Sequence, residues 1–301
     1  MTQEETGSEP QNEETHLTRA ESRIGPDDFT ALYDLNRECV WLESEHQPLI
    51  ELWNMCDSKN KELLISDLIR RIELVDSRKL IDYGKQIAKR IEMDWSLSPK
   101  TTRIVAVSDN AEADGSQAFL NSIKNKFDAQ NDWSEKYFFN NIGLARDDTT
   151  NGRTYILLDD FIGTGKTIER RVKWFIDQIK KKGSDSVAIK VVAIAAMVQS
   201  KIILDKLDID YYCPVWLKRG ISDSYNGRHL NDSIKNMGRL EDKLSKRHSG
   251  WFLSQFKFGF DRSEALFCIH GYNVPNNVFP IFWWPKTGGG KWRKTIFSRL
   301  R

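Results

Sequence analysis

Apolar positions follow different rules in different parts of the chain. Residues 1–24 hold Glu4, Glu5, Glu9, Glu13, Glu14 and Glu21 with few apolar groups, the composition of a disordered acidic tail rather than of a signal peptide. From residue 25 to 97 apolar residues recur at helical spacing: Phe29, Leu32 and Leu35, then Leu64, Leu68, Ile69 and Ile72, then Leu80, Tyr83, Ile87 and Ile91. Pro26 followed by Asp27 and Asp28 marks a helix start. No catalytic constellation stands in this region, which reads as a helical appendage packed on a core or offered to a protein partner.

Between residues 98 and 285 short apolar runs alternate with amphipathic stretches. Arg103–Ser108, Ile156–Leu158, Val187–Ala195 and Asp210–Leu217 read as strands, with Pro214 placing the last at an edge or bulge. Ala118, Leu120, Ile123 and Phe127 follow the first at helical spacing. Ile168, Val172, Phe175, Ile176 and Ile179 follow the second, closing on Lys180–Lys182 and Gly183. Strand–helix alternation predicts an α/β fold with a mostly parallel sheet flanked by helices.

The second strand–helix junction carries the chemistry. Tyr155–Leu158 leads into Asp159 and Asp160, then Phe161 and Ile162, then Gly163, Thr164, Gly165, Lys166 and Thr167. Two adjacent carboxylates can accept hydrogen bonds from a vicinal diol. A glycine–threonine turn at a helix N-terminus can wrap N–H groups and hydroxyls around a phosphate. A ribose 5-phosphate carries both. A phosphate loop of the G-x-x-x-x-G-K-[ST] type would need glycine where Asp160 stands, and it leaves Asp159 unexplained. A plainer alternative makes the acids helix caps.

Tyr155–Thr167 resembles the phosphoribosyl pyrophosphate (PRPP) motif of type I phosphoribosyltransferases: four hydrophobics, two acids, two hydrophobics, then x-Thr-Gly-x-Thr. The resemblance implies that Asp159 and Asp160 take the ribose hydroxyls, as the catalytic acids, and that Gly163, Thr164, Gly165, Lys166 and Thr167 take the 5′-phosphate. It implies Mg2+ as cofactor, bridging pyrophosphate and ribose, with Asp159 and Asp160 reaching it directly or through the sugar. By the same resemblance Ser108, Asp109, Gly115, Ser116 and Gln117 match the segment that meets pyrophosphate, although an N-capped helix start explains them as well. Lys136 or Arg146 would lie in a mobile loop that closes over the site, or else on a solvated hairpin.

The C-terminal third is dense in aromatics around Trp251–Phe260 and Phe267–Trp284, with His270, Gly271, Asn273, Pro275, Asn276 and Asn277 in a polar turn. This arrangement looks like a branch of phosphoribosyltransferase-like proteins tied to bacterial conflict systems, which implies an effector in anti-phage defence. Asn276 and Asn277 then line a base or acceptor pocket with His270, or simply hold a tight turn.

Composition narrows the remainder. A net charge of +2 gives no case for nucleic acid. Residues 286–301 hold Lys286, Lys291, Arg293, Lys294, Arg299 and Arg301 without an acid, which suggests a solvated basic tail or a polyanion contact. Four dispersed cysteines make no zinc spacing and fit a reduced, cytoplasmic protein. No apolar run has membrane-spanning length. The expected ligand is PRPP or a nucleotide monophosphate. A transferase, a non-catalytic sensor of such a ligand acting on a partner, a nucleotide-degrading toxin and an NTPase all remain open.

Overall fold

The computed structural model describes residues 24–108, 115–183 and 186–300. The acidic segment before Ile24, and Asp109 with its neighbours to Asp114, lie outside them. In chain order the elements begin with Pro26–Glu38 (α1), His46–Asn54 (α2), Lys59–Arg70 (α3), Glu73–Val75 (β1) and Ser77–Lys89 (α4). Next come Thr102–Ala106 (β2), Gly115–Ile123 (α5), Phe138–Phe139 (β3), Ile142–Asp147 (α6), Thr154–Ile162 (β4), Lys166–Lys181 (α7) and Ala188–Met197 (β5). The chain closes with Lys201–Lys206 (α8), Asp210–Tyr212 (β6), Val215–Leu217 (β7), Gly227–Glu241 (α9), Arg247–His248 (β8), Trp251–Phe252 (β9) and Phe267–Ile269 (β10).

The central sheet is parallel throughout, in the order β3-β2-β4-β5-β6, with β7 also on β5. Its strands are buried on both faces, which is why they read as unbroken apolar runs. Ile156, Leu158, Val192 and Ile194 enter one core with Phe119, Leu120 and Ile123 of α5. Tyr155, Leu157, Val191 and Ala193 enter the other, with Ile168, Val172, Phe175 and Ile179 of α7. The fourth expected strand is two short ones, β6 and β7, interrupted at Cys213 and Pro214 and both paired to β5. Proline without an N–H breaks the ladder there.

Strand order fixes where a ligand can enter. From β2 the chain moves to one side for β3, then returns to the other side of β2 for β4 and continues outward. The order therefore reverses between β2 and β4, and a crevice opens at their C-terminal ends. Helix α7 starts beside the end of β4, and α5 starts close by.

The helical N-terminal region differs from its expected form at one point. β1 lies within it and pairs in parallel with β10, and the His270 N–H donates to the Val75 carbonyl at 3.0 Å. One apolar core joins Leu35, Leu52, Ile65 and Ile69 of the N-terminal helices to Phe279, Phe282 and Trp284. The basic C-terminal segment is packed rather than solvated. Ile296 and Phe297 are buried, Phe297 stacks on Trp41 at 5.9 Å, and Arg293 is sunk among carbonyls of Ile281 and Trp284. Burial pushes the Arg293 pKa down to about 10, against the Glu51 charge. Among the described residues no helix is long and apolar enough to cross a membrane.

Candidate ligand site at the end of the central strands

The motif occupies the junction of β4 and α7. The strand runs further than its sequence suggests: it passes through both acids to Ile162, because Phe161 and Ile162 are buried and stay paired with Ala195 and Ala196 of β5. Asp159 and Asp160 are half-buried at this end. The Asp160 N–H leaves the ladder and donates to Asp159 Oδ1 at 2.9 Å. The turn is then only Gly163–Gly165, and Lys166 and Thr167 form the first turn of α7. Gly165 has φ +83°, a left-handed conformation that favours glycine, and a Cβ there would press on Ile203. The first N–H groups of α7 have no carbonyl one turn earlier to bind, and the Lys166 N–H meets Thr164 Oγ1 at 3.5 Å.

Two close approaches knit this junction to its surroundings. A Cβ on Gly115 would fall on the Asp160 carboxylate, and one on Gly163 would fall on the Asn277 carboxamide. Gly115 therefore brings the start of α5 against the acids, and Gly163 brings the motif against the C-terminal third. Asn277 is fixed in turn: its Nδ2 donates to Ser263 Oγ at 3.1 Å, and its carbonyl accepts from the Ala265 N–H at 3.0 Å.

The segment that holds Asn277 is under backbone strain. Phe258, Gly259, Asp261, Arg262 and Glu264 all have φ between +51° and +79°. Four of them are not glycine, and each such residue costs of order 1 kcal/mol, which its surroundings must offset. Two buried glutamates do so. Glu241 on α9 accepts the Phe258 N–H at 3.0 Å, and Glu264 accepts the Ile221 and Ser222 N–H groups at 2.8 and 2.7 Å. Asp261, carried outward by this segment, pairs with Lys166 at 2.5 Å.

The crevice that results has a volume of about 1060 Å3. Asp159, Asp160, Gly163, Thr164, Gly165, Thr167 and Gly115 line one side of it, and Asn276 and Asn277 meet them from the other. Other expected residues lie elsewhere. The Ser108 hydroxyl is fully buried, donates to the Asn140 carbonyl at 2.8 Å and accepts from Gln117 Nε2 at 2.9 Å. Ser116 is buried as well. Lys166 turns to Asp261, and His270 is exposed outside the cavity lining. Arg146 pairs with Asp147, and Lys136 sits 5.0 Å over the Tyr137 ring.

Sequence reasoning did not assign Arg170, Phe260, Tyr272 or Arg299, which also line the cavity. Arg170 was within reach: it lies three positions beyond Thr167 in the pattern that already predicts α7, so both share one helix face. Arg299 had no local signal, because its place depends on how residues 286–300 fold back. Burial moves the two pKa values in opposite senses: the Tyr272 hydroxyl is pushed up and the Arg299 guanidinium down, with the Asp160 charge acting upward on both.

The fold and this junction define a type I phosphoribosyltransferase-like protein. The chain belongs to the PRTase-CE family, whose model matches residues 45–299. Among solved structures it is similar to an orotate phosphoribosyltransferase from Aeropyrum pernix, at 8% identity and a TM-score of 0.29, over 54% of this chain and 81% of that one. It is also similar to the Mycobacterium tuberculosis H37Rv orotate phosphoribosyltransferase in complex with inorganic phosphate, at 11% identity and a TM-score of 0.30, over 56% of this chain and 93% of that one. No curated protein sequence matches the chain.

Proposed function

We propose that this crevice binds a ribose 5-phosphate ligand, PRPP foremost, and that the protein transfers its phosphoribosyl group. The observation that carries the reading is the meeting of half-buried Asp159 and Asp160 with the amide-rich start of α7 on one side of a single cavity. In this reading the acids accept hydrogen bonds from the two ribose hydroxyls, and Thr164, Thr167 and the N–H groups around Gly165 hold the 5′-phosphate. The carboxylates also lie where positive charge develops on the ring as the bond at C1 breaks, so they favour that state electrostatically.

Mg2+ fits the donor chemistry in part. Asp159 and Asp160 are hard oxygen donors, but among the described residues no cluster of three or more His, Cys, Asp or Glu could hold an ion. Such an ion would take most of its ligands from pyrophosphate, ribose and water. When bound it would offset the leaving group's negative charge.

Incubation of the purified protein with PRPP and Mg2+ tests the proposal. Release of pyrophosphate, abolished in Asp160→Asn, is the expected result. Absence of PRPP binding refutes it. One observation favours a second, regulatory reading: β10 carries the Gly271–Asn277 wall of the cavity and pairs directly with β1 of the helical N-terminal region. A ligand that moves this wall would be sensed by those helices and passed to a protein partner. Tight binding without turnover would select that reading. A role as an anti-phage effector follows the resemblance of the C-terminal third, and loss of phage protection in cells carrying Asp160→Asn is its test.

A further inference from the structure

Outside the crevice, cations and an exposed ring meet on one surface. Residues 243–252 and 285–300 hold no Asp or Glu. The fold lays the two segments against each other: the Ser245 N–H donates to the Lys286 carbonyl at 2.9 Å, and the Gly288 N–H donates to the Lys243 carbonyl at 2.7 Å. A hairpin follows, closed by the Thr287 N–H on the Lys291 carbonyl at 2.9 Å. Trp292 leaves this hairpin 68% exposed, although tryptophan is on average a highly buried residue. Lys286 Nζ stands 4.4 Å from the Trp292 ring centre, and the His248 ring of β8 meets it nearly at right angles at 5.4 Å. The indole is thus held in place while most of it faces water. Lys243 pairs with Asp57, but among the described residues no acid pairs with Lys246, Arg247, Lys286 or Lys291. A chain that is close to neutral in total therefore carries a local excess of positive charge around one open ring.

We propose that this surface binds single-stranded nucleic acid, with Trp292 as the platform for a base and Lys246, Arg247, Lys286 and Lys291 along the sugar-phosphate backbone. Stacking rings interleaved with cations suit such a strand, because every base has a flat face and every linkage a charge. A base that replaces the Lys286 ammonium on the indole frees that charge for the adjoining phosphate. A duplex fits less well: its base faces are already stacked, so only the cations would act on it. A membrane surface also fits less well, because residues 288–290 at the hairpin tip are glycines with no apolar side chain to insert. The inference stands apart from the phosphoribosyl reading, since none of these five residues lines the crevice.

Fluorescence anisotropy with the full chain tests it. The probes are a labelled oligothymidylate of about 16 nucleotides without a 5′-phosphate, a DNA duplex of the same length, and vesicles of phosphatidylcholine with phosphatidylserine. At about 50 mM salt the strand should bind with a dissociation constant below about 100 µM, the weak limit of non-specific nucleic-acid binding. It should bind more tightly than the duplex. Trp292→Ala should weaken strand binding about tenfold, the scale of one base stacked on a ring, and Trp292→Phe should recover most of that loss. Lys286→Gln combined with Lys291→Gln should lower the slope of log affinity against log salt by about 0.7 for each lysine. Trp292→Ala should leave pyrophosphate release from PRPP as in the wild type. No strand binding within that limit overturns the inference, as does equal binding of strand and duplex, an unchanged affinity in Trp292→Ala, or a preference for the vesicles. The wild-type preference for strand over duplex decides the matter even if a variant does not fold.

Discussion

Glu241 gives the sharpest test of how the crevice is held. Its side chain is fully buried on α9 and accepts the Phe258 N–H at the start of the strained segment that fixes Asn277 and carries Asp261. Burial pushes its pKa up to about 8, against the Phe258 hydrogen bond and the Lys257 charge. In the unfolded chain the same carboxyl titrates near about 4.3. Between these values the native state keeps a proton that the unfolded state has lost. Its contribution is therefore fully present below the unfolded value and is lost as pH rises through the folded one, at about 1.4 kcal/mol per pH unit. From about pH 5.5 to about pH 8 that amounts to roughly 3 kcal/mol. At about 2–4 °C per kcal/mol for a chain of this size, the melting temperature should fall by roughly 6–12 °C. Asp223, held low by the hydrogen bond from Arg219, titrates below this window. His248, held below the ordinary histidine value by burial and by Lys286, acts in the opposite sense in the lower part of the window and cancels when wild type is compared with a Glu241 variant. Glu241→Gln keeps the acceptor for Phe258 and has no proton to lose. Its melting temperature, followed by circular dichroism across the same pH range, should lose most of this slope and exceed the wild-type value at pH near 8. An identical slope in both proteins would refute the reasoning.

Further expectations follow from the same geometry. Asp160→Asn should weaken PRPP binding about tenfold or more, the scale of a lost hydrogen bond to a charged group, as read by calorimetry. Gly163→Ala puts a methyl on the Asn277 carboxamide and should cost about 1–3 kcal/mol of stability or a comparable share of ligand affinity, while an unperturbed variant would show the contact to be loose. Phe297→Ala removes a buried ring stacked on Trp41 and should cost about 3–5 kcal/mol in denaturant unfolding, a loss that a solvated tail could not produce. Lys166→Ala breaks an exposed pair with Asp261 and should change stability by less than about 1 kcal/mol.

The parts of the molecule that sequence made legible are those governed by local rules. The β4–α7 junction showed itself through an apolar run, a glycine turn and a strict helical face. The extent of β4 did not, because adjacent acids read as loop while the pairing of Phe161 and Ile162 with β5 depends on a strand some thirty positions away. β1 stayed hidden for the same reason: three residues become a strand only when β10 lies beside them. The C-terminal segment misled through its composition. A run of cations without acids suggests water, yet the carbonyls of Ile281 and Trp284 accept from Arg293 and two tryptophan rings flank Arg299. Guanidinium stems bury readily when carbonyls and ring faces meet them, and those partners come from distant parts of the chain.

A crystal of the protein soaked with ribose 5-phosphate tests the central claim most directly. The account predicts density for the phosphate at the N–H groups of the Gly163–Thr167 turn, with the two ribose hydroxyls on Asp159 and Asp160. Phosphate bound elsewhere in the crevice, with both acids turned away from the sugar, would contradict it.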